Sequence, residues 1–520
     1  GTLNTIVGGL AGDAITTGTN NVAMGYGALG SEDTGGQNVA IGVNALNTLN
    51  YDGNGLNTAV GYNAGVLMTT GVENVLIGGQ AGDALTTGSY NIAIGKDALG
   101  SEDANGRNIA IGKRALNTQD AGTDAYNQAI GYDAGRLITT GVNNVIMGGL
   151  AGDALTTGAY NIAIGYQALS TEDTGSVSIG IGYYALQAQN NAANNYNIAI
   201  GHSAGAAITT GIENVLVGGL AGDALTTGSY NTAVGHLALS TEDAHGYNTA
   251  IGREALKTLN AGADAGNVAV GMQSGAEMTT GVNNTLVGTN TGDALTIGNY
   301  NVALGYHALS TSVDGDYNTA IGYKALEDYE DGDGNGHNTA IGSKSQLNAS
   351  TGEFNTSLGS QAIGNGVTTG DYNIAIGYLA GNALTSGQRN VLIGSNAGDA
   401  LTTGESNVGV GHGALSAEDG NGSTTAVGYK ALNVQNAGQE SYNVAIGFEA
   451  GKLVTTGIEN TLIGSLAGDA LTTGTRNVAI GYAALGAEDA HGKNIAIGYQ
   501  ALTAQDAGAD ARNVAIGYEA

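Results

Sequence analysis

The fold this sequence predicts is an all-β parallel solenoid, and three observations carry the prediction. A pentapeptide returns about every 17 residues, glycine fills 91 of 520 positions with no proline, and most of the apolar side chains are small. Aligned on Asn-aliphatic-Ala-Ile-Gly, repeat starts fall at Asn4, Asn21, Asn38, Asn57, Asn74 and Asn91 and continue to Asn494 and Asn513, 30 in all. Ser178 and Thr424 replace the asparagine at two of them. Most spacings are 17 residues and every fourth is usually 19, so four coils make a block of 70. The block shows itself again in Ala-Gly-Asp-Ala-Leu-Thr-Thr-Gly, which begins at Ala81, Ala151, Ala221, Ala397 and Ala467, with variants at Ala11 and Thr291. The interval from Thr291 to Ala397 exceeds one block by two coils, near residues 338–372. Whole coils can be added in this way when each touches only its neighbours. Residues 1–520 therefore read as one continuous repeat array, and the start at Gly1 and stop at Ala520 partway through a repeat suggest a segment of a longer chain.

Within the coil starting at Asn91, the run Asn91-Ile92-Ala93-Ile94 reads as a short strand. Ile92 and Ile94 share one face and Ala93 points to the other. Gly95 ends the strand at a corner that needs positive φ or close backbone approach. Ala98-Leu99 reads as a second short strand, closed by a glycine-containing turn. A helix is the rival, but glycine this frequent would cost it about 1 kcal/mol per occurrence. Stacked at about 4.8 Å per coil, thirty coils predict a rod on the order of 140 Å long. The asparagine starts are then expected to form an amide ladder, each bonding its neighbours above and below.

Charge and composition exclude several function classes. The net charge of −30 repels phosphate backbones and anionic lipid heads, so nucleic-acid and membrane-surface binding are not expected. No apolar run of about 18 residues suggests a helical membrane span. At 42% hydrophobic residues the chain is too apolar for a disordered tail. Each coil nevertheless offers little apolar bulk against the entropy of ordering 17 residues. Both strand faces are apolar, which predicts that one forms the coil core and the other meets another chain.

The pentad with its following tyrosine and alanine, as in Asn161-Ile162-Ala163-Ile164-Gly165-Tyr166-Gln167-Ala168-Leu169, resembles the repeats of trimeric phage tail-fibre proteins. It is also similar to the head repeats of trimeric autotransporter adhesins (YadA-like), whose coils are shorter. The resemblance spans essentially the whole chain. It implies a left-handed β-roll, a homotrimer and an extracellular attachment role on a virion appendage or a cell surface. The leading expectation is a non-enzymatic fibre shaft of a phage tail fibre or related appendage. The alternative is a bacterial surface adhesin that binds host glycans or proteins.

Candidate chemistry is sparse. The acidic turns Ser101-Glu102-Asp103, Ser170-Thr171-Glu172-Asp173 and Ala417-Glu418-Asp419 recur once per block. They are too far apart for paired-carboxylate catalysis and are expected to be solvated, with calcium binding as the alternative. Asp331, Asp333 and Asn335, in Asp331-Gly332-Asp333-Gly334-Asn335-Gly336, match the start of a calcium loop. Gly342 stands where such a loop needs its bidentate glutamate. Tyr26, Tyr62, Tyr132, Tyr166, Tyr306 and Tyr499 follow the pentad glycine and predict aromatic columns, suited to cross-coil packing or to glycan stacking. Lys96, Lys113, His202 and His236 interrupt them. Thr-Thr-Gly occurs in too few coils for an ice-binding array. Gly201-His202-Ser203-Ala204-Gly205 matches a nucleophile elbow but lacks the helix that should follow it. His202, His236 and His307 lie in non-equivalent contexts, so no metal cluster is expected.

Overall fold

The computed structural model describes residues 1–330, 336–506 and 508–520. The chain forms two compact units, Gly1–Asp264 and Ala265–Ala520. Among the described residues the first holds strands β1 (Thr5–Val7) to β15 (Thr249–Ile251), and the second holds β16 (Val268–Val270) to β30 (Val514–Ile516). Every strand has three residues and begins one position after a repeat start, as the pentad predicts. In each unit successive strands pair in parallel at equivalent positions. Ile92↔Ile109, Ala93↔Ala110 and Ile94↔Ile111 illustrate the first unit, and Val302↔Thr319, Ala303↔Ala320 and Leu304↔Ile321 the second. The chain is an all-β parallel solenoid of thirty strands at about 17 residues per turn.

Period-two alternation decides which side chains enter the core. In β6 (Ile92–Ile94) the central Ala93 is buried while Ile92 and Ile94 are half-buried. The small residue therefore faces the coil interior and the two branched ones face outward.

The second strand expected at Ala98-Leu99 does not form. Asp97 and Leu99 both take left-handed backbone conformations, at φ 56° and 53°, which curl the chain through consecutive turns. Bonding between coils survives without strand geometry: the Leu99 N–H donates to the Ala115 carbonyl at 3.0 Å. Leucine in this region costs roughly 1–2 kcal/mol, and the burial of its side chain offsets that cost.

Two devices set the distance between coils. Gly95 sits at φ 133°, and its N–H donates to the Ile77 carbonyl at 2.7 Å. A Cβ there would lie 2.5 Å from the carbonyl oxygen of Gly112 in the next coil. The asparagine ladder is the second device, and it differs from a chain of amide-to-amide bonds. Asn144 Oδ1 accepts the backbone N–H of Asn161 at 2.9 Å, and its Nδ2 donates to the Gly158 carbonyl at 2.9 Å. Side chain thus bonds mainly to the next coil's backbone, which satisfies polar groups buried at the corner.

Core volume is balanced along the stack. The coil of Asn91 buries Ala93, Ala98 and Leu99. The coil of Asn74 buries Leu76, Ala81 and Leu85 and places Gly82 where Leu99 stands. A Cβ on Gly82 would come within 2.8 Å of Leu85 and 2.9 Å of Leu76, so leucine at the strand centre requires glycine there. Similarly, buried Ser312 occupies a position that is glutamate in other blocks, and the bulky Tyr329 fills the equivalent site one coil on.

Gly95→Ala should cost about 1–3 kcal/mol, because both backbone angle and coil spacing are violated. Gly79→Ala, whose Cβ would meet nothing within 4 Å, should change stability by less than about 0.5 kcal/mol. Amide hydrogen exchange at Ile92–Ile94 and Ile109–Ile111 reads the difference; equal protection in the two variants would refute the close-approach account.

Candidate functional site

The acidic turns are only half solvated, contrary to the sequence expectation. Glu32, Glu102, Glu172, Glu242, Glu418 and Glu488 are fully buried, while neighbouring Asp103, Asp243, Asp419 and Asp489 remain at the surface. Burial follows from register. Each glutamate is the twelfth residue of its coil, and that position is core in the stack: Leu85 lies one coil before Glu102 and Ile138 two coils after it.

These carboxylates cap their own turns. Glu172 Oε1 accepts the Gly175 N–H at 2.7 Å, and its Oε2 accepts Gln189 Nε2 at 3.0 Å and Asn195 Nδ2 at 3.1 Å. Glu418 Oε1 accepts the Asn421 N–H at 3.1 Å, and its Oε2 accepts Gln435 Nε2 at 3.0 Å. Glu242 and Glu488 Oε1 lie 3.1 and 3.2 Å from the Nδ1 atoms of His245 and His491. Glu102 Oε1 accepts the Asn105 N–H at 3.1 Å, whereas its buried Oε2 has no partner.

Desolvation pushes the carboxyl groups of Glu32 and Glu102 above the ordinary carboxylate range, and does the same to Asp83, Asp153, Asp223 and Asp469 in the Asp-Ala-Leu turns. Exposed Glu459 and Asp510 are held below that range by hydrogen bonds from Arg476 and Lys493.

The turns also gather potential metal ligands; calcium was the alternative reading of these turns, but the partners Asp120, His245, His491 and Asp506 were not named with them. Glu102, Asp103 and Asp120 form one group, Glu242, Asp243 and His245 a second, and Glu488, Asp489, His491 and Asp506 a third. In each group the ligand atoms lie within 4.8 Å of one another. The signal was present in the spacing: aligning coils by position puts every such glutamate in a column that is mostly Leu, Ile, Met or Gln, with Ser312, Tyr329, Ala349, Gly366 and Val454 as its other members. The calcium-loop candidates Asp331, Asp333 and Asn335 lie outside the described residues. Gly342 is the strand-ending glycine of its coil, at φ 135°.

The remaining candidates resolve into parts of the stack. Ser203 occupies a left-handed corner at φ 52°, and the His202 ring lies flat against Tyr183 at 5.3 Å. Threonine hydroxyls of the Thr-Thr-Gly turns bond to the next coil, as Thr86 Oγ1 does to the Asp103 carbonyl at 2.9 Å. Tyrosines after the pentad glycine stack where adjoining coils both carry a ring, Tyr482 on Tyr499 at 5.3 Å and Tyr306 on Tyr323 at 5.9 Å, whereas Tyr26, Tyr62 and Tyr132 have no aromatic residue at that position in either adjoining coil. A second aromatic column, preceding the repeat starts, was not singled out in the sequence. In it Tyr300, Tyr317, His337, Phe354 and Tyr372 follow one another at 5.0, 4.8, 4.9 and 5.0 Å, within 11° of parallel. Ring faces in such columns cover one another, leaving edges and hydroxyls for solvent.

The fold defines the class: a parallel β-solenoid repeat protein. No protein-family model, no curated protein and no solved structure matches the chain.

The raised carboxyl groups bind protons more readily folded than unfolded, so stability must fall as pH rises from about 4 through their elevated folded values. The lowered groups act only below about pH 4, outside that window. Thermal melts should therefore show a higher midpoint at pH 5 than at pH 7.5, and relief of the −30 charge acts in the same direction. A midpoint that instead rises steadily from pH 5 to pH 7.5 would contradict the burial of these acids.

Proposed function

We propose that this chain is a non-catalytic shaft of a homotrimeric extracellular attachment fibre, of the kind carried by a phage tail or related virion appendage. The observation that carries the reading is the outward row of strand residues. The third strand position is apolar in every described strand of each unit and stays partly open to solvent, while the first is Val or Ile in most strands and Thr or Gln in eleven of the thirty. Ile92 and Ile94 are half-buried, Val302 and Leu304 are 41% and 46% exposed, and Leu358 is 46% exposed. A contiguous apolar strip of this kind on a chain of net charge −30 calls for a covering partner. Copies of the same chain meet the need, because their coils share one axial repeat and present the same row.

The aromatic columns support a packing role where neighbouring rings stack face to face, as Tyr482 does on Tyr499 and Tyr300 on Tyr317. The buried glutamates are occupied largely in capping turns, which supports a structural use. A bacterial surface adhesin with host glycan or protein partners is the alternative reading, and it rests on the same repeat resemblance.

Sedimentation equilibrium of the chain at micromolar concentration should give three times 51.4 kDa. Paired Ile92→Lys and Ile94→Lys substitutions should shift the distribution toward monomer while the far-ultraviolet dichroism is retained. A wild-type chain that sediments as a stable monomer would rule out the trimer.

A further inference from the structure

We propose that Glu102, Asp103 and Asp120 form a calcium site that ties two successive coils together. Glu102 and Asp103 belong to the coil that starts at Asn91, and Asp120 belongs to the next, which starts at Asn108. One oxygen from each carboxylate lies within 4.8 Å of the others, the span that ligands at about 2.3–2.6 Å cover across one calcium ion.

An independent observation singles out this turn. Glu102 is fully buried, and its Oε2 is without a hydrogen-bond partner. The other five buried turn glutamates all fill that oxygen: Glu32 with the Tyr51 N–H at 3.4 Å, Glu242 with the Ala261 N–H at 3.3 Å, and Glu172, Glu418 and Glu488 with glutamine amides. Gln119, the equivalent glutamine beside Glu102, turns away. Its Nε2 donates to the Thr139 carbonyl at 3.2 Å, and its Oε1 accepts Asn127 Nδ2 at 2.6 Å. A buried carboxylate oxygen left open is costly, and a cation supplies what the protein does not.

Local charge agrees. None of the three carboxylates takes part in an ion pair among the described residues, and Arg107 on the same coil is held by Asp124 at 3.0 Å. An all-oxygen set favours a hard cation. Two solvent-facing aspartates leave room for water in an irregular shell, which suits calcium better than the strict octahedron of magnesium. At Glu242 and Glu488 a histidine nitrogen already sits against Oε1, so the proposal is confined to the Glu102 turn.

Isothermal titration of the full chain with calcium chloride tests it. The wild type should bind saturably, and Asp120→Asn should lose one site or weaken it at least tenfold. Asp120 is exposed, so this variant should keep the wild-type dichroism. Asp52→Asn removes the same charge from the coil that follows Glu32, whose two oxygens are filled, and should titrate as wild type. Glu102→Gln should match Asp120→Asn; should it misfold, Asp103→Asn takes its place. The proposal is overturned if no saturable binding occurs at millimolar calcium. It is equally overturned if Asp120→Asn binds as wild type, or if Asp52→Asn weakens binding as much, which would mark diffuse attraction to an acidic chain.

Discussion

The bond from an asparagine side chain to the backbone of the following coil is the constraint on which the rest of the structure depends. Asn144 Oδ1 holds the N–H of Asn161, and Asn161 Oδ1 in turn holds that of Ser178 at 3.0 Å. Such a bond forms only when coils sit one strand spacing apart and in register. Register then requires that Gly95 and its equivalents carry no Cβ, that side chains at one position form a column, and that insertions enter as whole coils. In the second unit the ladder accommodates longer turns: Asn338 reaches Asn318 over 20 residues and Asn373 reaches Asn355 over 18, with the same bond made at 3.1 and 2.9 Å. Turn length can vary because the corner bond is made whatever the length of the turn between two repeat starts.

Columns explain the interior as well. A narrow core cannot absorb a large residue locally, so volume is exchanged between positions and between neighbouring coils, as Gly82 with Leu76 and Ser312 with Tyr329 show. The same rule draws glutamate inside. Its two methylenes continue the column of Leu85 and Ile138, while its carboxylate turns back to cap a loop that lacks other acceptors. The acid is a space-filling member of the core that brings its charge with it.

Much of this was legible in the sequence. The pentad located all thirty strands, because alternation around a central alanine and a closing glycine leaves little choice. The second strand was misread since Ala-Leu beside a turn looks extended in composition, whereas Leu99 adopts a left-handed angle that only the stacked neighbours make tolerable. The buried glutamates were hidden by their company: Ser101 and Asp103 flank Glu102 and make the string look solvent-facing. Position within the coil carried the information that local polarity concealed. Likewise the column through Tyr300 and Tyr372 escaped attention, because its members change between tyrosine, histidine and phenylalanine from coil to coil.

The one-coil reach of every ladder bond has a consequence for how the chain acquires its shape. A residue needs partners only about 17–20 positions away to complete its corner, as Asn161 and Asn338 do. Contacts of such small separation in a chain of 520 residues give very low relative contact order, which favours rapid formation of each turn. With no proline there is no slow prolyl isomerisation to interrupt it. Structure can begin at any coil that closes on its neighbour and grow outward in both directions, so the chain zips where a globular domain must collapse.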